Sequence, residues 1–142
     1  MLRLKRLGEV ILKSTNGKSL EIKSFEDLEV WQLAKRLVSK IYAETFNFPK
    51  DEIYGITSQM KRAALSVPTN IAEGFGRYHY LDKIKFYLNS RGSLFELKSL
   101  ILISIDLGFI DSIKSKELIA DIEILAVKLN NLINSTREKA TK

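Results

Sequence analysis

From residue 24 onward, apolar residues recur every three to four positions, the spacing that keeps them on one face of an α-helix. In the first such run Val30, Ala34, Leu37 and Ile41 form a seam flanked by Trp31, Val38 and Tyr42. That stripe is wide enough for a helix facing a core. Phe46-Asn-Phe-Pro49 ends it, because the residue before a proline resists the α conformation, and Asp51 is the expected N-cap of the next helix. The second helix carries Ile53, Ile56, Met60, Ala63, Val67 and Ile71 on one face. Pro68 falls inside this run and predicts a kink, with Gly74 and Gly76 as the stop. Asp82 is the expected N-cap of a third helix with Ile84, Leu88, Phe95, Leu102 and Ile105 on its main face. Tyr87, Leu94 and Ile101 add a second stripe, which predicts the most buried helix of the set. Leu107-Gly-Phe109 closes it with a C-cap glycine. The last helix starts between Ser112 and Ser115 and repeats Leu118, Ile122, Leu125, Leu129 and Leu132 at heptad spacing, with Ile119, Ala126 and Ile133 alongside.

Four amphipathic helices on short loops predict an all-α fold, an antiparallel up-down-up-down four-helix bundle over residues 24–142. Residues 1–23 follow another period. Val10–Thr15 and Lys18–Ile22 flank Asn16-Gly17, a pair suited to a two-residue hairpin turn, so an N-terminal β-hairpin is expected here. A lone two-stranded hairpin is marginal in water. It would dock on the bundle, pair with another subunit or stay partly disordered; alternatively, the stretch lies outside the folded unit.

Composition narrows the chemistry. At 142 residues the chain fits one domain with a real core. It has no cysteine, which excludes disulfides and thiolate chemistry, and its only histidine is His79, which argues against a histidine metal site or a Ser-His-Asp triad. No cofactor and no metal are expected. No apolar run reaches the roughly 18 residues of a membrane span. Glu9 and Lys13 interrupt any signal-peptide core, so a cytoplasmic location is expected. The net charge is +6, of which residues 1–23 hold +4 through Arg3, Lys5, Arg6, Lys13, Lys18 and Lys23 against Glu9 and Glu21. A basic appendage on a nearly balanced bundle either steers the protein toward nucleic acid or is an ordinary solubilising excess.

The second helix also carries a polar stripe, Gln59, Arg62, Ser66, Asn70 and Glu73, and the third adds Arg91, Ser93 and Glu96 around Gly92. With the two helices antiparallel and close at Gly92-Ser93, Arg62, Asn70, Glu73 and Glu96 would form a partly buried polar network. Glu73 and Glu96 could instead work as an acid–base pair or bind a hard cation. Di-iron bundles use Glu-x-x-His motifs, and this chain has none, so the register-fixing network is the favoured reading. Arg77-Tyr-His-Tyr80 could stack bases and touch phosphate, or pack its tyrosines on the bundle rim. No arginine precedes His79 at the four-to-six spacing of a helical ribonuclease, and Gly74-Phe-Gly76 lacks the strand and third glycine of a phosphate loop.

Together these residues resemble the 23S rRNA intervening-sequence protein family, also described as four helix bundle proteins. The resemblance begins at Phe25-Glu-Asp-Leu28 with Trp31 and continues through Phe48-Pro49, Tyr54-Gly55, Gln59-Met-Lys-Arg62 and Ser66-Val-Pro68. Its strongest part is Asn70-Ile-Ala-Glu-Gly74 with Gly76-Arg77, followed by Gly92-Ser-Leu94, Glu96-Leu97 and Leu107-Gly108. It covers residues 25–135. The resemblance implies a bundle that assembles as a ring, typically a homopentamer, with no known catalysis. A related branch, the accessory variability proteins of diversity-generating retroelements, implies basic pentamers that bind nucleic acid and a reverse transcriptase.

The expected function is therefore a non-enzymatic, homo-oligomeric accessory protein that binds RNA or DNA. The candidate contacts are Arg3, Lys5, Arg6, Lys61, Arg77, His79, Lys83 and Lys85. The alternative is a protein–protein scaffold, for example a reverse-transcriptase partner, without direct nucleic-acid binding.

Overall fold

The computed structural model describes residues 3–6, 9–13 and 19–142, with side chains from residue 21 onward. Helices α1 (Glu29–Thr45), α2 (Ile56–Phe75), α3 (Tyr80–Asp106) and α4 (Ser112–Ala140) pack as a bundle around one core. Ahead of them the backbone forms three short strands, β1 (Arg3–Arg6), β2 (Glu9–Lys13) and β3 (Ser19–Glu21), paired antiparallel in that order. Lys13 pairs with Ser19 and Leu12 with Leu20; the Asn16-Gly17 turn lies outside the described residues. Ile22, just after β3, is buried in the helical core.

The seams of α1 and α4 match their sequence pattern. Val30, Ala34, Leu37 and Ile41 are buried on α1, and Leu118, Ile122, Leu125, Leu129, Leu132 and Ile133 on α4. Asp111 caps α4, its carboxylate accepting a hydrogen bond from the Lys114 backbone N–H at 2.8 Å. Asp111→Ala should cost about 1 kcal/mol, the usual loss for an N-cap, measured by chemical denaturation. The end of α3 is a Schellman turn: Phe109 N–H bonds Ser104 C=O, Gly108 N–H bonds Ile105 C=O, and Gly108 has φ +73°.

Several local expectations need correction. Asp51 caps nothing; it sits in a 3-10 turn, Lys50–Glu52, and α2 begins later, after Gly55. There the Glu52 carboxylate faces the Ile56 N–H, and Ile53, shifted into the loop, is exposed. Asp82 is inside the first turn of α3, whose N-cap position is His79. The largest correction concerns the faces of α3. Of the expected main face, Ile84 is buried and Leu88 and Ile105 are half-buried against the core, but Phe95 and Leu102 are 54% and 46% exposed; the core side runs through Tyr87, Ser90, Leu94, Leu97, Leu100, Ile101 and Ser104. Two serines can line this core because each satisfies its hydroxyl on a backbone carbonyl: Ser90 on Val67 at 2.8 Å and Ser104 on Leu100 at 2.7 Å. The most buried helix is α2, with eight of its 20 residues in the core against eight of 27 in α3.

Helix α2 runs unbroken through the buried Pro68 to Phe75, so Gly74 lies inside it rather than ending it. Met60 meets Ser104, Val67 meets Ser90 and Gly74 meets Tyr87, so contacts run in opposite order along α2 and α3. Between α3 and α4, Arg91 bonds Asn130 and Lys98 bonds Glu123. Between α1 and α4, Glu29 pairs with Lys128, Lys40 with Asp121 and Glu44 with Lys114. Such solvent-facing pairs each contribute at most about 1 kcal/mol, so the apolar seams hold the bundle. Both α1 and α3 pack against α2 and α4, which puts α1 and α3 at opposite corners.

Candidate nucleic-acid interface

The tight turn from α2 to α3 exists because Gly76 and Arg77 N–H groups bond back to Ala72 and Gly74 carbonyls, leaving Arg77 to His79 outside both helices. The Arg77 guanidinium stacks on the Phe86 ring at 4.5 Å. Tyr78 is 90% exposed and meets His79 edge-on at 5.0 Å. A delocalised cation thus lies over Phe86, and the exposed Tyr78 and His79 rings follow it in the same turn. That arrangement can meet phosphate through the guanidinium and bases through the rings. Lys85, one turn into α3, is exposed.

Lys83 has a different task from the one the sequence suggests. Its amine donates to the Phe75 carbonyl at 2.5 Å and lies 5.3 Å from the Phe75 ring, so it caps the C-terminal end of α2. Burial holds its pKa below the ordinary lysine value. Lys61 lies against Tyr42, at 4.9 Å, about 24 Å along α2 from Arg77 at 1.5 Å per residue, and so is apart from the turn. Arg3, Lys5 and Arg6 lie on β1, and their side chains fall outside the described residues. Sequence reasoning misses Lys139. It joins Lys83, Tyr80, Tyr87 and Thr136 around a small cleft of about 20 Å³, and Arg137 shares its last turn of α4. The basic last turn is the one signal for it; separation along the chain from the Arg77 segment hides the proximity.

The expected polar network is not assembled as drawn. Asn70 donates to the Ser66 carbonyl and hydroxyl, both at 2.8 Å, and Ser66 Oγ lies 2.8 Å from Ser93 Oγ. Among the described residues Arg62 reaches Ser58, at 3.0 Å, while Glu73 and Glu96 are exposed, with no hydrogen bond or ion pair to Arg62, Asn70 or each other. The helices touch through short hydroxyl and amide side chains; the long charged ones turn outward. The close approach is also displaced. A Cβ on Gly74 would sit 2.6 Å from Tyr87 Cε1, whereas one on Gly92 would meet nothing within 4 Å. Ser90→Ala should cost about 1 kcal/mol in thermal or chemical melts, because the buried Val67 carbonyl loses its side-chain donor.

Among the described residues no group of three His, Cys, Asp or Glu side chains is placed to hold a metal ion. No described helix is long and apolar enough to cross a membrane. No curated protein matches the chain. The family model described as 23S rRNA-intervening sequence protein matches residues 26–131. With most of the bundle inside that match, the chain belongs to the 23S rRNA-intervening sequence protein family.

Proposed function

We propose that this protein is a non-catalytic, homo-oligomeric accessory factor, an up-down-up-down bundle that binds RNA or DNA in the cytoplasm. One observation carries the reading: Arg77, Tyr78 and His79 in the turn and Lys85 at the start of α3 are all exposed, so cations and uncovered aromatic rings share one short stretch of chain. Lys83 and Lys139 extend the positive end as neighbours around the adjoining cleft. Contacts are chiefly to phosphate, with stacking from Tyr78. A pentameric ring repeats the turn five times, and linked weak contacts add through avidity. The N-terminal three-stranded sheet, with Arg3, Lys5 and Arg6 on its first strand, supplies further cations.

The test is fluorescence anisotropy of the full chain with a structured RNA and a matched single-stranded DNA at about 50 mM salt, where phosphate contacts are strongest. Submicromolar binding supports the reading. Absence of binding to both sinks it.

A second reading, a scaffold that docks another protein such as a reverse transcriptase, is favoured by the opposite end of the bundle. There Phe46, Ile53, Tyr54, Leu107 and Ile113 are all more than half exposed, and the Phe48 and Phe109 rings, 5.6 Å apart, join the two loops that carry them. Binding through that end would be indifferent to salt.

A further inference from the structure

Residues 30–43 of α1 and 56–72 of α2 contain no aspartate or glutamate, yet they carry Lys35, Arg36, Lys40, Lys61 and Arg62. Between these two helices Trp31, Val38, Leu65, Pro68 and Ala72 line an open groove of about 370 Å³, with Lys35 among its lining residues. From Leu65 to Ala72 it runs for about 10 Å, two helical turns. The Lys35 amine lies 5.5 Å from the centre of the Trp31 ring. The Lys61 amine reaches across from α2 to lie 4.9 Å from the Tyr42 ring of α1. Neither amine meets a carboxylate among the described residues. Their aromatic contacts hold the two amines in place and leave both charges unneutralised. At the other end, past Phe25, the acids are engaged locally: Asp27 accepts the Lys23 and Ser24 N–H groups, and Glu26 accepts the Ser24 hydroxyl. Glu73 follows Ala72 there and is exposed. The groove is therefore apolar along its floor and positive toward its Val38–Leu65 end.

We propose that this groove receives an acidic amphipathic helix of another protein. A helix laid along the furrow between two helices presents apolar residues at i, i+3, i+4 and i+7, and these span the same length of about 10 Å. Carboxylates at the edge of that apolar stripe meet Lys35 and Lys61, supplying the charge that the chain itself does not provide. The floor suits aliphatic anchors better than nucleic-acid bases. Val38, Leu65, Pro68 and Ala72 offer no π-face, and Lys35 lies over that of Trp31. Both the Arg77 turn and the loop end that carries Phe46 and Ile113 lie outside the groove, so the inference rests on neither reading above.

Trp31 is the only tryptophan, so its fluorescence reports on the groove. The full chain is titrated at low ionic strength, where rim charges are least screened, with two synthetic helical peptides. Each has leucine at i, i+3, i+4 and i+7; one carries glutamate at the remaining positions and the other lysine. The glutamate peptide should bind saturably and shift the Trp31 emission, and the lysine peptide should bind roughly tenfold more weakly. Lys35→Glu/Lys61→Glu should reverse that preference. Neither lysine is buried, so circular dichroism melts of this variant should match wild type. Arg77→Ala/Lys85→Ala should bind the glutamate peptide as wild type does, which separates this proposal from the nucleic-acid reading. No Trp31 response to the glutamate peptide, or equal affinity for the two peptides, overturns the proposal. A response to RNA in place of the peptide overturns it too, making the groove a base-binding site. Peptide binding that light scattering shows only as an assembly dissociates would give the groove to a second copy and overturn it as well.

Discussion

Gly74→Val is expected to destabilise the bundle by about 3 kcal/mol, the upper end of the usual cost of overpacking. The first added atom would lie 2.6 Å from Tyr87 Cε1, 2.9 Å from Cδ1 and 3.0 Å from Phe86 Cβ. Tyr87 is 2% exposed, so its ring has nowhere to swing. Gly74→Ala is the sharper test, because two effects oppose each other. Alanine gains about 1 kcal/mol as a helix former, and a contact as short as 2.6 Å to a buried ring puts the clash in the upper part of the usual range of about 1–3 kcal/mol, so the variant should lose about 1–2 kcal/mol. If Gly74 were only a helix stop, alanine would be neutral or stabilising. Gly92→Ala is the control within α3: its Cβ enters open space, and propensity alone should stabilise the monomer fold by up to about 1 kcal/mol. Urea midpoints for both variants decide the matter by sign.

The contrast explains what is legible in the sequence. Helices α1 and α4 are readable because one apolar seam sits opposite a polar face. Helix α3 is not, because apolar residues lie all round it while two core positions are serines. Only knowledge of the Val67 and Leu100 carbonyls distinguishes Ser90 and Ser104 from surface residues. Gly74 is ambiguous for a similar reason: glycine serves both a helix end and a tight packing contact, and only the position of Tyr87 separates the two. Among the basic candidates, sequence locates the Arg77 turn but cannot show that Lys83 is occupied by the Phe75 carbonyl, nor that Lys139 approaches it from the end of α4.

Replacing Arg77 and Lys85 by alanine should have the largest effect on binding. Every phosphate left without its cation forgoes a counterion-release factor of roughly five at about 150 mM salt and roughly fifteen at about 50 mM. Removing both cations should therefore weaken binding per subunit about thirtyfold at the higher salt and about two-hundredfold at the lower. Stability should barely change, since both side chains are exposed and the Arg77–Phe86 stacking contributes at most about 1 kcal/mol. A drop in affinity without a drop in melting temperature separates an interface role from a structural one.

The most direct test of nucleic-acid binding at the α2–α3 turn is the salt slope of RNA affinity, measured by anisotropy for wild type beside the Arg77→Ala/Lys85→Ala variant. A steep negative wild-type slope, shallower in the variant by about 1 for each phosphate no longer neutralised, is the predicted result. A slope near zero, or equal slopes in the two proteins, would contradict it.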